Sequence, residues 1–449
     1  MSALYSFVTN IHFFIHKMRK FFGSFLMMCS LLLGLVSCSD EAFDVDSVNK
    51  QTILVFMPWT GSSSGTGLTY YLRNNLDSIC QGIIDSKGLS NSRLMVFFSE
   101  SAGSSKLYEF QYDATQRTVN RIEVKAYQGN SYNTADGFAD ILNEVRQRAE
   151  ALNYSLIIGA HGCGWSYADD WTNYPSRAKG SLDFGSESSS TQENEKPVMD
   201  VPTTFSFGDD PNLPLTRFFG SVKLDGYKMD VTTLAEGIRQ SGMKMQYILF
   251  DACYMGNAEV AYELKDVTNY LITSSSEIMG RGIPYRSIWR SLNSSTPSYS
   301  GIVSGVVNYY KSSDTPYCNL AAIDCRQMDA LAEVMKKINK TCSLDANVPL
   351  DSIQPLDGFK PSLSYDLKVY VDSLHPNAIL KDEFTHQLSK TVKVTAHTDK
   401  AITSQFVSSG ELFNVKSYCG LSISDPSQHP VAIKGREKTA WWKATHESE

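Results

Sequence analysis

Cys253 and His161 have the side chains needed for nucleophilic attack on a carbonyl carbon. A thiol attacks once an imidazole holds or removes its proton, and a covalent acyl intermediate then forms. Each residue follows an apolar run, "YILF" before Asp-Ala-Cys and "SLIIGA" before His-Gly. The two residues are 92 positions apart, so this chemistry requires a fold that brings them together.

An acyl-transfer site also needs N–H donors for the oxyanion that forms on the attacked carbonyl group. Gly162 directly follows the imidazole, and a glycine permits the close backbone approach that such donors require. The backbone N–H groups of Gly162 and Cys253 are therefore the predicted oxyanion hole. The sequence does not identify a residue that orients His161.

Each of these residues also has an ordinary structural interpretation. A histidine after a strand is often a hydrogen-bonded structural residue, and a buried cysteine is often a small apolar side chain. Cys163, two residues after His161, is a rival thiol on the same turn. A histidine and a cysteine that both lie at strand ends, beside glycine-bearing turns, favour the catalytic interpretation. Cys253 ranks ahead of Cys163 as the nucleophile.

The elements around both residues alternate between strand-like and helix-like patterns. Residues 52–57 and 93–99 are short apolar runs typical of buried strands, and apolar residues from Leu68 to Ile83 recur at helical spacing. A hairpin is predicted over 106–128. This alternation predicts an α/β fold with parallel βαβ units, in which the carboxyl ends of the strands carry the chemistry.

Polar and weakly patterned stretches divide the rest of the chain. Residues 51–340 form the predicted core, interrupted at 166–230 by an insert whose composition is typical of an exposed loop. Residues 341–417 are predicted as an appended, mostly helical region, and 418–445 as a terminal strand and tail that return to the core. The prediction is thus one large domain with a smaller appended region.

Residues 1–37 have the features of a bacterial lipoprotein signal. Three cations precede an apolar run over 21–36, and this run is short for a membrane span. The sequence "LVSC" then places Cys38 where a lipidated first residue is expected, with 38–50 as a tether. An ordinary signal peptide or a short membrane anchor is the alternative. A start at Met18 would give a signal of normal length.

Charge limits the partners expected for the mature chain. Residues 1–37 carry three cations and no anions, so their removal changes the formal net charge from −7 to −10. An acidic chain without a basic stripe is a poor match for nucleic acid, and membrane contact is expected through the lipid alone. Ser39, Asp40 and Glu41 resemble the acidic export tag of bacterial surface lipoproteins. The expected location is therefore the cell envelope, as an outer-membrane lipoprotein.

The cysteine spacing argues against a zinc site. Seven cysteines follow the signal region, and none of them forms a Cys-x-x-Cys pair. An odd number in an exported chain leaves at least one free thiol, which is compatible with a catalytic cysteine. The seven are Cys80, Cys163, Cys253, Cys318, Cys325, Cys342 and Cys419.

Three segments resemble the clostripain-like cysteine peptidases, which belong to the clan of caspases, gingipains and legumain. They are "AHGCGW", "ILFDACYMGNAEVAYEL" and "TSSSEIMGRGIPY", and the similarity extends over about 51–445. The resemblance implies a caspase-like three-layer α/β sandwich with a mostly parallel central sheet. It also implies His161 as general base or acid and Cys253 as nucleophile. The implied substrates are proteins or peptides cleaved after Arg or Lys.

The resemblance further implies a specificity pocket and a processing region. An acid two residues before the nucleophile, here Asp251, lines the pocket for the basic side chain, although an ordinary strand-end turn residue is the alternative. Glu277 is a second candidate at the pocket rim, and Arg281 in the same loop leaves its effect on specificity open. Relatives are cleaved after a basic residue between the histidine and the cysteine, for which Arg177 and Lys179 are the preferred sites.

Cofactor use and two alternative functions stay open. A thiol mechanism requires no cofactor, but some clostripain-like enzymes depend on calcium, and no EF-hand loop is present to assign a site. One alternative is a catalytically inactive surface binding lipoprotein on the same fold, which the acidic insert and Arg281 favour and the intact His161 and Cys253 oppose. The other is a peptidase with altered specificity.

Overall fold

The strands and helices indicated by the sequence assemble around a nine-stranded sheet in the computed structural model. The structure describes residues 48–61, 67–167, 219–220, 225–403 and 411–446. The predicted signal 1–37, the lipidation site Cys38 and the processing sites Arg177 and Lys179 lie outside the described residues. The described residues from Asn49 onward belong to one compact unit.

The central sheet is mostly parallel. In spatial order its strands are β12 (Val392–His397), β10 (Asn319–Asp324), β9 (Thr268–Thr273), β8 (Met245–Asp251), β5 (Asn153–Gly159), β1 (Gln51–Met57), β2 (Ser92–Ser101), β3 (Ser104–Asp113) and β4 (Thr118–Gln128). The five strands from β9 to β2 are parallel to one another, and only β10 and β3 run in the opposite direction within this sheet. The predicted α/β class and the predicted hairpin, β3 with β4, are confirmed.

Eleven α-helices lie within the described residues. They are α1 (Leu68–Asp85), α2 (Ala135–Arg148), α3 (Val231–Gln240), α4 (Ala258–Glu263), α5 (Tyr285–Leu292), α6 (Tyr299–Lys311), α7 (Met328–Thr341), α8 (Leu367–Ser373), α9 (Ala378–Thr391), α10 (Pro430–Gly435) and α11 (Ala440–Thr445). None of these described helices has the length and apolar character needed to cross a bilayer.

Both faces of the sheet are covered, which gives the three layers. Along β1, Ile53 and Val55 pack into the apolar cluster that includes residues of α1, α5 and α6. Leu54 and Phe56 pack into the opposite cluster, with residues of α2, α3 and α4. Side chains of a strand alternate between faces, so a continuous apolar run is what a strand buried on both faces requires.

Part of the predicted appended region belongs to the sheet itself. β12, within 341–417, pairs antiparallel with β10 and forms one edge. Residues 418–445 supply β15 (Ser422–Ile423), which pairs with β11 (Tyr365–Asp366) in a separate two-stranded sheet and does not join the central one. The remaining short strands also form two-stranded sheets, β6 (Phe219–Gly220) with β7 (Lys228–Met229) and β13 (Lys400–Thr403) with β14 (Glu411–Asn414).

Candidate active site

The neighbouring parallel strands β5 and β8 bring His161 and Cys253 to the same edge of the sheet. Gly159 is paired with Asp251, and the N–H of Ala160 donates to the Asp251 carbonyl oxygen at 3.3 Å. His161 and Cys253 each follow this paired position by two residues. The half-buried His161 is also held from the other side, because the N–H of Gly220 donates to its carbonyl oxygen at 3.1 Å.

Gly162 puts the two strand-end turns in direct contact. A Cβ atom at this position would lie 2.5 Å from the carbonyl oxygen of Cys253 and 3.0 Å from its nitrogen. These distances leave no room for a side chain, so the approach requires glycine. Among the described residues, no acceptor is paired with the backbone N–H of Gly162 or of Cys253. The two donors proposed for an oxyanion therefore lie side by side.

The sulfur of Cys253 lies against the peptide of Ile278. The Ile278 N–H donates to Sγ at 3.3 Å, and Sγ lies 3.8 Å from the Ile278 carbonyl oxygen. Cys253 is only 5% exposed. Burial raises the pKa of the thiol well above its usual value, and the negative charge of Glu277 raises it further. The thiol is therefore protonated in this state, and attack requires a base.

Asp251 presents a buried carboxylate beside this turn. Asn75 Nδ2 and the Tyr285 hydroxyl both donate to its Oδ2, at 3.1 and 2.9 Å. Burial raises the pKa of Asp251 to about 6, against the opposing effect of the Tyr285 and Ile283 hydrogen bonds. No lysine or arginine within the described ranges forms an ion pair with it. A carboxylate held by neutral donors suits the binding of a cation.

Gly282 closes one side of the Asp251 carboxylate. A Cβ atom here would lie 2.6 Å from Oδ2 and 2.7 Å from Oδ1 of Asp251. The backbone is also left-handed, with φ +66°, a region that favours glycine. Any larger residue at position 282 would push into the carboxylate.

Glu277, the candidate for the pocket rim, is buried, and Arg281, whose effect on specificity the sequence left open, has partners of its own. Glu277 is 3% exposed and accepts a hydrogen bond of 2.5 Å from the Tyr254 hydroxyl, so its carboxylate lies inside the molecule and not at an exposed rim. Arg281 bonds to Asp314 at 2.9 Å and to Thr315 at 2.7 Å. Its guanidinium group is thus directed to these partners, and no arginine of the described residues forms an ion pair with the Asp251 carboxylate.

The sequence provided no signal for several contacts in the site. Asn75 occupies a buried position of helix α1, and nothing in the helical pattern distinguishes it as a partner of Asp251. Tyr285 belongs to the segment used for the family resemblance, but its role needs the spatial neighbour Asp251. Cys163, the rival thiol, is 5% exposed and close enough to Cys253 to influence its pKa.

No group of three or more His, Cys, Asp or Glu side chains in the described part of the chain is arranged to hold a metal ion. The sequence predicts no required cofactor and leaves calcium use open, and this prediction is untested and has no assigned calcium site.

Comparisons with known proteins identify the family and the fold of this chain. The model of the Clostripain family, peptidase C11, matches residues 210–424. A secreted C11 cysteine protease from Bacteroides thetaiotaomicron, "iotapain", is 33% identical with a TM-score of 0.74, over 89% of this chain and 99% of that chain. No curated protein sequence matches this chain.

Two further solved structures are similar in fold. An inactive zymogen C11 protease from Parabacteroides distasonis is 23% identical with a TM-score of 0.69, over 88% of this chain and 98% of that chain. A secreted C11 cysteine protease from Bacteroides thetaiotaomicron in complex with an irreversible peptide inhibitor is 19% identical with a TM-score of 0.65, over the same shares. At these identities the likeness concerns the fold.

Proposed function

This chain belongs to the clostripain family of cysteine proteases, and from that premise we propose that it cleaves peptide bonds after Arg or Lys through Cys253 and His161. The observation that carries the proposal is the contact of Gly162 with the Cys253 backbone. A Cβ atom added to Gly162 would lie only 2.5 Å from the Cys253 carbonyl oxygen. This contact puts the turn that bears the imidazole directly against the turn that bears the thiol.

The reaction proposed is acyl transfer in two halves. His161 removes the proton from the Cys253 thiol, and the sulfur attacks the carbonyl carbon of the peptide bond. The N–H groups of Gly162 and Cys253 stabilise the oxyanion. The C–N bond then breaks as His161 returns the proton to the leaving amine. Water, deprotonated by His161, hydrolyses the thioester and restores the thiol.

The preference for a basic side chain is proposed from the environment of Asp251. Its carboxylate is buried among neutral donors, Asn75 and Tyr285, and a buried anion is stabilised strongly by a cation that reaches it. The ammonium or guanidinium group of the substrate would supply that cation. Asp251 lies two residues before the proposed nucleophile, at the end of strand β8, where it is paired with Gly159 of β5.

Export, lipid attachment and self-processing complete the proposal and rest on the sequence. The signal pattern before Cys38 supports a lipid-anchored envelope protein, and the similar "iotapain" is described as secreted. Arg177 and Lys179 lie in the polar insert between His161 and Cys253 and are the proposed sites of self-cleavage.

A positional peptide library tests activity and specificity together. We expect the purified mature chain to cleave after Arg and Lys at least about tenfold faster than after any neutral residue, since a charge-assisted pair is the selecting contact. The Cys253→Ala chain is the control and should leave the library intact. Cleavage after neutral or acidic residues would contradict the specificity. An inert wild-type chain would favour the binding-lipoprotein alternative.

A further inference from the structure

The turn that bears Cys253 is fastened to the segment 274–278, which follows β9. The N–H of Tyr254 donates to the Ser276 carbonyl oxygen at 3.1 Å, and the N–H of Gly256 donates to that of Ser274 at 2.8 Å. Tyr254 itself has φ +60°, a left-handed conformation that a tyrosine rarely adopts. Such a backbone persists only when its surroundings hold it.

The side chain of Tyr254 supplies one of these restraints. Its hydroxyl donates to Glu277 Oε1 at 2.5 Å, and both residues are 3% exposed. Glu277 directly precedes Ile278, whose N–H and carbonyl oxygen contact the sulfur of Cys253. The hydrogen bond from Tyr254 to Glu277 therefore joins the residue after the nucleophile to the residue before the peptide that covers it.

From this arrangement, and on the basis of the proposed function, we propose that Glu277 is a positioning residue. Through its hydrogen bond with Tyr254 it locks the Ile278 peptide against the sulfur of Cys253. Glu277 would then act on the thiol and not on the basic side chain of the substrate.

The groups that face the thiol come from several elements. Cys163 approaches from the turn after β5, Asp251 from the end of β8, Tyr254 from the turn of Cys253 itself and Glu277 from the segment after β9. His161 belongs to the turn after β5, whose Gly162 contacts the Cys253 backbone. Among the neighbouring charges, Glu277 has the largest effect, and it raises the pKa of Cys253. Burial raises the pKa of the Tyr254 hydroxyl well above its usual value, and the charges of Glu277 and of Asp357, which lies in the loop after α7, raise it further.

The lock has a consequence for substrate entry. Cys253 is only 5% exposed and its sulfur contacts the Ile278 peptide, so the proposal requires this peptide to move before a substrate carbonyl carbon reaches Sγ. That movement also separates the thiol from Glu277, so the sulfur becomes reachable and easier to deprotonate in the same step. Exposure of the nucleophile and its activation are thereby coupled.

Alkylation of Cys253 by iodoacetamide over a range of pH tests this proposal without requiring turnover. Mass spectrometry of the peptide that contains Cys253 gives the rate at each pH for the full mature chain. Glu277→Gln keeps an acceptor for Tyr254 but removes the charge, so the midpoint of alkylation should fall by about one pH unit. Glu123→Gln, the same change on the exposed strand β4, should leave the midpoint within about 0.2 units. An unchanged midpoint in Glu277→Gln would overturn the proposal.

Tyr254→Phe separately tests the hydrogen bond that locks the Ile278 peptide against Cys253. This test can be made even if the Glu277 variant does not fold. Loss of the hydroxyl should speed alkylation at pH 7 by about threefold or more and lower kcat by about tenfold, with KM within about twofold. Rates equal to wild type in both assays would contradict a positioning role. A chain that alkylates with the predicted shift but cleaves no peptide would refute the proposed protease activity alone.

Discussion

Replacing Cys253 with alanine should lower kcat/KM for an Arg-terminated fluorogenic peptide amide by at least about 10⁴-fold, because the proposed acyl intermediate forms on its sulfur. We also expect the same variant to remain a single chain and wild type to be cut after Arg177 or Lys179. Release of the fluorophore measures the first result and a denaturing gel the second. A circular dichroism spectrum of the Cys253→Ala variant that matches the spectrum of wild type excludes misfolding as the cause of the lost activity.

Cys163→Ala is the matched control for this prediction. Cys163 is equally buried, at 5% exposure, and lies on the turn of His161. Alanine replaces a small buried side chain there, so activity should stay within about threefold of wild type. A Cys253→Ala chain that retains activity, together with a Cys163→Ala chain that loses it, would move the nucleophile to Cys163.

Asp251→Asn should lower kcat/KM for an Arg substrate by about a hundredfold while a citrulline substrate changes by less than about threefold. Removal of one charge from a buried pair costs about 2–5 kcal/mol, whereas citrulline has the shape of arginine without its charge. Asparagine preserves the size of the side chain and can still accept from Tyr285. Asp314→Asn, a nearby acid that pairs with Arg281, is the control and should preserve the Arg preference.

The same charge makes the selectivity pH dependent. The pKa of Asp251 is raised to about 6, so the carboxylate is ionised above that pH and neutral below it. The ratio of kcat/KM for arginine to that for citrulline should therefore fall as the pH drops through about 6, and taking the ratio cancels the titration of Cys253 and His161. Asp251→Asn should abolish this dependence. A ratio that is flat from pH 5 to pH 8 would remove Asp251 from the specificity pocket.

Local patterns were sufficient to predict the α/β sheet, in which His161 and Cys253 follow the neighbouring parallel strands β5 and β8. Each residue ends a run of apolar residues, and parallel neighbouring strands necessarily deliver their carboxyl ends to one edge. Edge strand β12 was not predicted from the sequence. Its alternation of apolar and polar residues is short, and its pairing with β10 depends on residues far away in the chain. The terminal strand β15 likewise pairs with β11 and not with a strand of the central sheet.

The polar contacts of the site could not be predicted from the sequence. Asp251 gains its partners from α1 and α5, through Asn75 and Tyr285, and no spacing links these three positions. Glu277 was the second candidate for the pocket rim because the sequence could not place its loop, and its hydrogen-bond partner, Tyr254, lies 23 positions earlier. Such contacts are set by tertiary packing, which local composition does not encode.

Covalent labelling tests the central claim, that Cys253 is the nucleophile activated by His161, most directly. The mature chain is incubated with an Arg-based acyloxymethyl ketone, and the labelled residue is identified by peptide mass spectrometry. We expect one adduct per chain on Cys253, formed at least about a hundredfold more slowly in His161→Ala. An adduct on Cys163 or on another cysteine, or a rate on Cys253 that does not depend on His161, would contradict the account.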